Sequence, residues 1–451
     1  MKRILICALS LLLLLSFALS FAACGGAGTQ ATGGTTGQTT AAQTTAGQTT
    51  AGQTFPATEP YEPTAALDLM AEIVPRQASG EPAPLSASEA VAVSDFAVRL
   101  FQAAYRNGQN NLISPLSVLF ALAMTQNGAK GDTLSQMETV LGMTADEWNG
   151  YCYRLLSRLP RGENYKLSLA NSIWFTSDPR FTVNRDFLQT NADYFGASVY
   201  KAPFDDTTLA EINGWVEHHT DGMIEEILDE IPAEAVMYLI NALAFDAEWE
   251  KIYSVYQVSD GTFTRADKTT VTVPFLYSEE SGYLDDGQAT GFVKYYSGMK
   301  YAFVALLPNE GVSLSDYVAS LDGAKLRRTL IGAKGTAVMA AIPKFQVEDS
   351  LELSTVLKAM GMTDAFDSNR ADFTGLGTST AGNIFINRVL HKTFLSLDER
   401  GTKAGAATVV EMTDKAVSYG YRVELDRPFV YLLIETESYT PFFIGTMVDP
   451  G

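Results

Sequence analysis

The periodicity of the chain changes part-way along. Ser86 has Glu89 three places on, which is the spacing of a capping box. Behind it Val93, Phe96, Ala97, Leu100, Phe101 and Ala104 recur at helical intervals. A second apolar helix is predicted from Leu116 to Met124, opened by Pro115 and followed by Asn127-Gly128. Thr133 to Leu141 reads as helix again, ended by Gly142. Beyond that point β-rich runs dominate: Leu167–Phe175, Met237–Phe245, Thr269–Leu276, Tyr301–Leu307, Ala337–Ile342, Asn383–Leu390 and Phe429–Ile434. Helices are predicted between them, at Arg185–Phe195, Leu209–His219, Leu314–Ser320 and Leu351–Met360. Strands and helices do not alternate regularly, so a doubly wound sheet is not indicated. A mixed α+β fold with large sheets fits the order. No Gly/Pro/Ser-rich break interrupts residues 86–451, which are therefore predicted to form one domain.

The first 85 residues have a different character. Lys2 and Arg3 precede an apolar run from Ile4 to Phe21, then Ala22 and Ala23, so residues 1–23 read as an export signal. Phe21-Ala22-Ala23-Cys24-Gly25 resembles a bacterial lipobox, with phenylalanine where leucine is usual. That makes Cys24 the candidate lipidation site. The alternative is an ordinary cleavable signal ending in Ala-Ala. Gly25 to Thr54 is almost wholly Gly, Ala, Thr and Gln, which cannot bury apolar surface. The stretch to Pro84 is richer in Pro, Glu and Ala. Residues 24–85 are thus expected to be a tether, with a root-mean-square reach of roughly 40–45 Å.

Composition narrows the function. The 451 residues carry a formal charge of −20, which repels phosphate backbones and argues against nucleic-acid binding. Loss of the leader with Lys2 and Arg3 makes the mature chain still more acidic. The three cysteines are Cys7, Cys24 and Cys152; only Cys152 is left for the folded part, so disulfides do not hold it together. The three histidines are His218, His219 and His391, and neither a Gly-x-Ser-x-Gly elbow nor a His-Glu-x-x-His helix is present. A surface hydrolase, a metal site and a cofactor site are therefore not expected.

Several segments resemble the serpin family, in the family's order. They are Asn111-Leu-Ile-Ser114-Pro-Leu-Ser117 through Gly128-Ala-Lys-Gly131; Asn213-Gly-Trp215-Val; Asn241-Ala-Leu-Ala-Phe245 with Trp249; Val423-Glu-Leu-Asp-Arg-Pro-Phe-Val-Tyr-Leu-Leu433; and Phe443-Ile-Gly-Thr-Met-Val-Asp-Pro450. The most telling is His391-Lys-Thr-Phe-Leu-Ser-Leu-Asp-Glu399-Arg-Gly-Thr-Lys-Ala-Gly-Ala-Ala-Thr408.

The resemblance implies N-terminal helices, three large β-sheets and an exposed reactive loop, here about residues 399–427. It implies a suicide-substrate inhibitor of serine proteases, not an enzyme. The protease cuts the loop and is held as an acyl-enzyme while the loop inserts into the central sheet. It makes Glu399, Gly401, Thr402, Ala404, Ala406 and Thr408 the hinge. Ser114, Ser117, Asn241 and His391 become a polar cluster beneath the opening sheet, and Trp249 with Glu399 the point of entry. A segment entering a sheet passes every second side chain inward. Counted from Thr402 these are Thr402, Ala404, Ala406 and Thr408, all small and uncharged, while Lys403 falls on the other face. No proline occurs between Pro343 and Pro428, as a ladder strand requires.

The family's usual loop length, counted from Glu399, puts the reactive bond at Lys415-Ala416, which suits trypsin-like proteases. Counting back from Pro428 lands near Val417, which suits elastase- or subtilisin-like ones, and Met412, Tyr419 and Tyr421 remain further options. A non-inhibitory serpin acting as a surface carrier or binding module is the alternative. The expected partners are serine proteases and, through lipid on Cys24, the outer face of a cell membrane; the protein is expected to be monomeric.

Overall fold

The structure, a computed structural model, describes residues 61–76, 83–160, 162–402 and 420–451. The helices are α1 (Ala87–Ala104), α2 (Pro115–Gln126), α3 (Gly131–Leu141), α4 (Ala145–Arg158), α5 (Arg185–Phe195) and α6 (Asp206–His219), then the short α7 (Leu314–Ser320), α8 (Gly323–Ile331) and α9 (Ser354–Met360). The strands begin with β1 (Leu67–Asp68), β2 (Asn111–Ile113), β3 (Tyr165–Thr176), β4 (Phe181–Val183), β5 (Ser198–Ala202) and β6 (Met237–Glu248). They continue with β7 (Val258–Thr264), β8 (Thr270–Glu280), β9 (Tyr283–Asp285), β10 (Ala289–Tyr295), β11 (Tyr301–Pro308), β12 (Val338–Pro343) and β13 (Phe345–Glu352). The last are β14 (Gly377–Ser379), β15 (Leu390–Leu397), β16 (Gly401–Thr402), β17 (Tyr421–Glu424), β18 (Phe429–Glu435) and β19 (Pro441–Met447).

The helix ends are where local chemistry puts them. Ser86 and Glu89 form the capping box of α1, Ser114 caps α2 with Pro115 at its first position, and Gly142 closes α3 in the left-handed region at φ 85°. α2 is apolar all round and is buried all round, packed between β6 and β19. On α6 one face is buried: Ile212, Trp215 and Val216 pack with Trp174, Ile240 and Ala242 of β3 and β6. The mixed α+β prediction holds, with three large sheets. The central one has the order β1-β5-β3-β6-β16-β15-β13, the second β2-β19-β18-β11-β10-β9, and the third β17-β12-β8-β7.

Two predicted elements differ. The apolar run Asn383–Leu390 is not a strand; β15 starts only at Leu390. Its backbone is satisfied elsewhere: Ile386 N–H donates to Ala365 O, and Val389 N–H donates to the side chains of Glu352 and Ser354. The helix predicted from Leu351 is shortened to Ser354–Met360, because Leu351 and Glu352 belong to β13 opposite His391 and Leu390.

Part of the stretch expected to be a spacer lies along the folded body. Leu67 and Asp68 pair antiparallel with Lys201 and Tyr200, closing the outer edge of the central sheet. Ile73 is buried and Arg76 Nε lies 2.8 Å from Asp193. On α6 the buried Glu211 carboxylate accepts from the N–H groups of Thr64, Ala65 and Ala66 and from the Thr64 hydroxyl, at 2.5–2.9 Å. The segment is held mainly through its backbone, so its polar composition is no obstacle. The remainder of the expected leader and tether, Cys24 included, lies outside the described residues.

Candidate functional site

Among the described residues, the central sheet is incomplete in its middle. At its top β16 bridges β6 and β15: Gly401 is opposite Glu248, and Thr402 is opposite Ala247 on one side and Leu397 on the other. Below Thr402 no described residue forms a ladder between β6 and β15. A cavity of about 920 Å³ opens there, walled by Asn241 and Leu243 of β6 and by His391 and Thr393 of β15, with Ser114 at the cap of α2 and Ser117 within that helix also lining the cavity.

The seat of β16 is built from several elements. Thr402 is 1% exposed, and its hydroxyl lies 2.6 Å from the Tyr296 hydroxyl. Gly401 runs so close to β6 that a methyl group in its place would strike the carbonyl oxygen of Ala247. Arg400 forms an ion pair with Glu248, and its carbonyl accepts from Trp249 N–H at 2.7 Å. The Trp249 indole N–H donates to Asp398 O at 2.9 Å, and its ring stacks on Tyr296 with centroids 4.3 Å apart. Glu399 O accepts from Tyr253 N–H at 2.9 Å, and the Glu399 carboxylate lies 2.6 Å from Lys344 Nζ. Burial pushes that carboxyl's pKa up, but the Lys344 ammonium beside it outweighs this and the value ends below the ordinary one. Behind Trp249 the buried Lys294 pairs with Glu280 at 2.8 Å and lies over the Tyr253 and Trp249 rings. Burial pushes the Lys294 ammonium down against the pull of Glu280.

The floor of the slot divides into two halves. On the β15 side, His391 Nε2 accepts from Ser114 N–H at 2.9 Å, and Ser114 Oγ accepts from Ser117 N–H. Burial lowers the His391 pKa to about 4, which keeps Nε2 free to accept. On the β6 side, Asn241 Nδ2 donates to Asn171 Oδ1 at 2.8 Å, and Asn171 donates to Phe195 O. Asn241 Oδ1 is buried without a hydrogen-bond partner among the described residues, and no hydrogen bond joins Asn241 to His391. The structure therefore brings Ser114, Ser117 and His391 together and sets Asn241 across the slot from them. Sequence reasoning missed Lys344, Tyr296 and Asn171, which reach the site from other strands and carry no local signal.

Ala404, Ala406, Thr408, Met412, Lys415, Ala416, Val417 and Tyr419 lie outside the described residues. Tyr421, considered as a reactive-site option, belongs to β17. It pairs with Val338 and stacks on Tyr283 with centroids 3.6 Å apart. Held in that ladder, Tyr421 is not free to thread a protease cleft.

Comparison with known proteins bears on this geometry. The family model described as Serpin (serine protease inhibitor) matches residues 91–450. A serpin-like protein of Thermococcus kodakarensis is 30% identical over 370 residues, covering 80% of this chain and 85% of that protein. Among solved structures, the thermophilic serpin tengpin in its native state matches at 43% identity with a TM-score of 0.81, covering 86% of this chain and all of that one. The latent state of tengpin matches at a TM-score of 0.74.

Proposed function

The chain belongs to the serpin family, and from that premise we propose that it is an irreversible suicide-substrate inhibitor of serine proteases, held at the outer surface of a cell. The observation that carries this reading is Thr402, seated between β6 and β15 at the head of a slot that no described residue fills. If inserted in the same register, Ala404 would lie between Phe245 and Leu395, Ala406 between Leu243 and Thr393, and Thr408 between Asn241 and His391. Every incoming inward side chain is small, and the Thr408 hydroxyl arrives where Asn241 Oδ1 lacks a partner. Each ladder bond adds about 1 kcal/mol net, so half a dozen residues bonded on both sides stabilise the molecule by on the order of 10 kcal/mol.

In the reaction, the protease serine oxygen attacks the carbonyl carbon of Lys415. The peptide bond to Ala416 breaks, the Ala416 amine leaves with the C-terminal fragment, and an ester joins the protease to the new C-terminus. Insertion then draws the ester away from the pole before water reaches it. A lysine at this position suits a specificity pocket that holds a carboxylate; Val417 or Met412 in the same role would point to other proteases. Anchoring follows from the lipobox-like Cys24, and the inhibitor acts as a monomer.

Mixing the protein with trypsin and with elastase tests this. A complex that survives denaturing electrophoresis is expected, with a released fragment that begins at Ala416 by mass spectrometry. Cleavage without a covalent band would refute inhibition, and a fragment beginning elsewhere would move the bond. Cys24→Ser should shift the protein from the membrane fraction to the medium; retention on the membrane would remove the lipid anchor.

A further inference from the structure

Among the described residues, the two most exposed large apolar side chains are neighbours: Val255 is 80% and Tyr256 is 92% exposed. They occupy a tight turn, residues Val255–Gln257, between β6 and β7. The turn is rigidly held. Ser254 donates from its N–H and its hydroxyl to Gln257 Oε1, at 3.0 and 3.2 Å. Gln257 Nε2 donates to Tyr277 O at 3.1 Å. On the other flank the buried Tyr253 holds Glu399 O through its N–H. An aromatic side chain presented on a fixed backbone loses little entropy on binding, and tyrosine is enriched among residues that dominate interfaces.

The turn lies beside the segments that lead into and out of the reactive loop. One root of the reactive loop, at Glu399–Thr402, is tied to Tyr253. The other root opens β17, and in the third sheet β7, which follows the turn, is separated from β17 by β8 and β12. Three strand spacings amount to about 14 Å. From Ala416 the chain returns to Gly420 within five residues, at most about 18 Å of extended chain. A protease domain of about 220 residues has a radius of gyration of about 17 Å, hence a radius near 22 Å. With its cleft on Lys415-Ala416, its body is wider than the tether is long and lies against this pole. Charged exposed residues beside the turn are Glu250, Lys251, Asp260 and Glu279, three acids to one base.

We propose that the Val255–Tyr256 turn is a docking surface for the body of the target serine protease, meeting an apolar patch edged with basic residues outside the active-site cleft. The inference rests on the inhibitor reading above. Its test is the second-order rate of covalent complex formation with trypsin for the wild type, the double variant Val255→Ser/Tyr256→Ala, and Tyr256→Lys. The double variant should react about tenfold more slowly, at unchanged melting temperature and unchanged stoichiometry of inhibition, and Tyr256→Lys should be at least as slow. Catalytically inactive trypsin should bind the variants more weakly by a similar factor. Rates within twofold of the wild type in both variants would overturn the docking surface. So would a slower rate accompanied by a higher stoichiometry, because the turn would then act through the hinge. If the wild type itself forms no covalent complex, the inhibitor reading fails instead.

Discussion

The central sheet receives an added strand in two places, each described over two residues, and the two are treated differently. At its outer edge β1 pairs with β5; in its middle β16 pairs with β6 and β15. What differs is the surroundings. The segment around β1 continues into side-chain and backbone contacts on both sides, from the four bonds received by Glu211 to the buried Ile73 and the Arg76–Asp193 pair. Beneath β16 the facing edges of β6 and β15 have no ladder partner among the described residues. One strand closes a sheet edge, and the other stands at the head of a slot that no described strand fills. A short strand is inert or poised according to whether the neighbouring backbone groups are already satisfied.

Charging the poised strand should have the largest effect. Thr402→Arg places a cation where the native residue is 1% exposed, facing Tyr296 without a counter-ion. Inhibition should be lost and the protein should become a substrate, read as the absence of a covalent band with full cleavage of the loop. Undiminished inhibition would mean that insertion does not begin at Thr402.

Next comes the closed edge. Glu211→Ala leaves three N–H groups and a hydroxyl without their acceptor and should destabilise the docked segment by about 3 kcal/mol. Hydrogen exchange at residues 64–68 reports this. If exchange there is unchanged, the carboxylate does not hold the segment.

Acid should weaken both regions. His391 in the slot and His219 on α6 are each buried, with pKa values lowered to about 4 by burial. Below pH 6.5 the unfolded chain takes up protons that the native histidines refuse until about pH 4, so stability falls through that window as pH falls. At pH 5 each histidine costs about 2 kcal/mol relative to pH 7.5. His391→Asn keeps an acceptor for Ser114 N–H and should flatten the slot's share of the melting-temperature profile, while His219→Asn flattens the other. A profile unaltered by either substitution would contradict this assignment.

The smallest effect concerns the seat alone. Tyr296→Phe removes the 2.6 Å partner of the Thr402 hydroxyl and should cost about 1 kcal/mol. A modest rise in the stoichiometry of inhibition is expected; no change would mean that the seat is held by the backbone alone.

Much of the fold was legible in local signals. The ends of α5 and α7 agree with the prediction, as do the caps of α1, α2 and α3. Helix α4 was readable too but overlooked: Thr144 and Glu147 form a capping box at its start. The run Asn383–Leu390 misled because apolar alternation reports burial, not the presence of a ladder partner. The docked segment before α1 was invisible, since it is held by a carboxylate some 145 residues away in sequence. At the site, family resemblance pointed to Ser114, Ser117, Trp249, His391 and Glu399, which the structure gathers around the head and floor of the slot, whereas Lys344, Tyr296 and Asn171 carried no such signal. Their roles arise from the crossing of strands distant in the chain.

The most direct test is to nick the segment 403–419 with a protease of another class, one that is not trapped, and to compare melting temperatures before and after. If the slot between β6 and β15 is waiting for that segment, the nicked protein should melt higher by on the order of 10 °C. An unchanged or lower melting temperature would show that the slot does not take up the loop and would contradict the account.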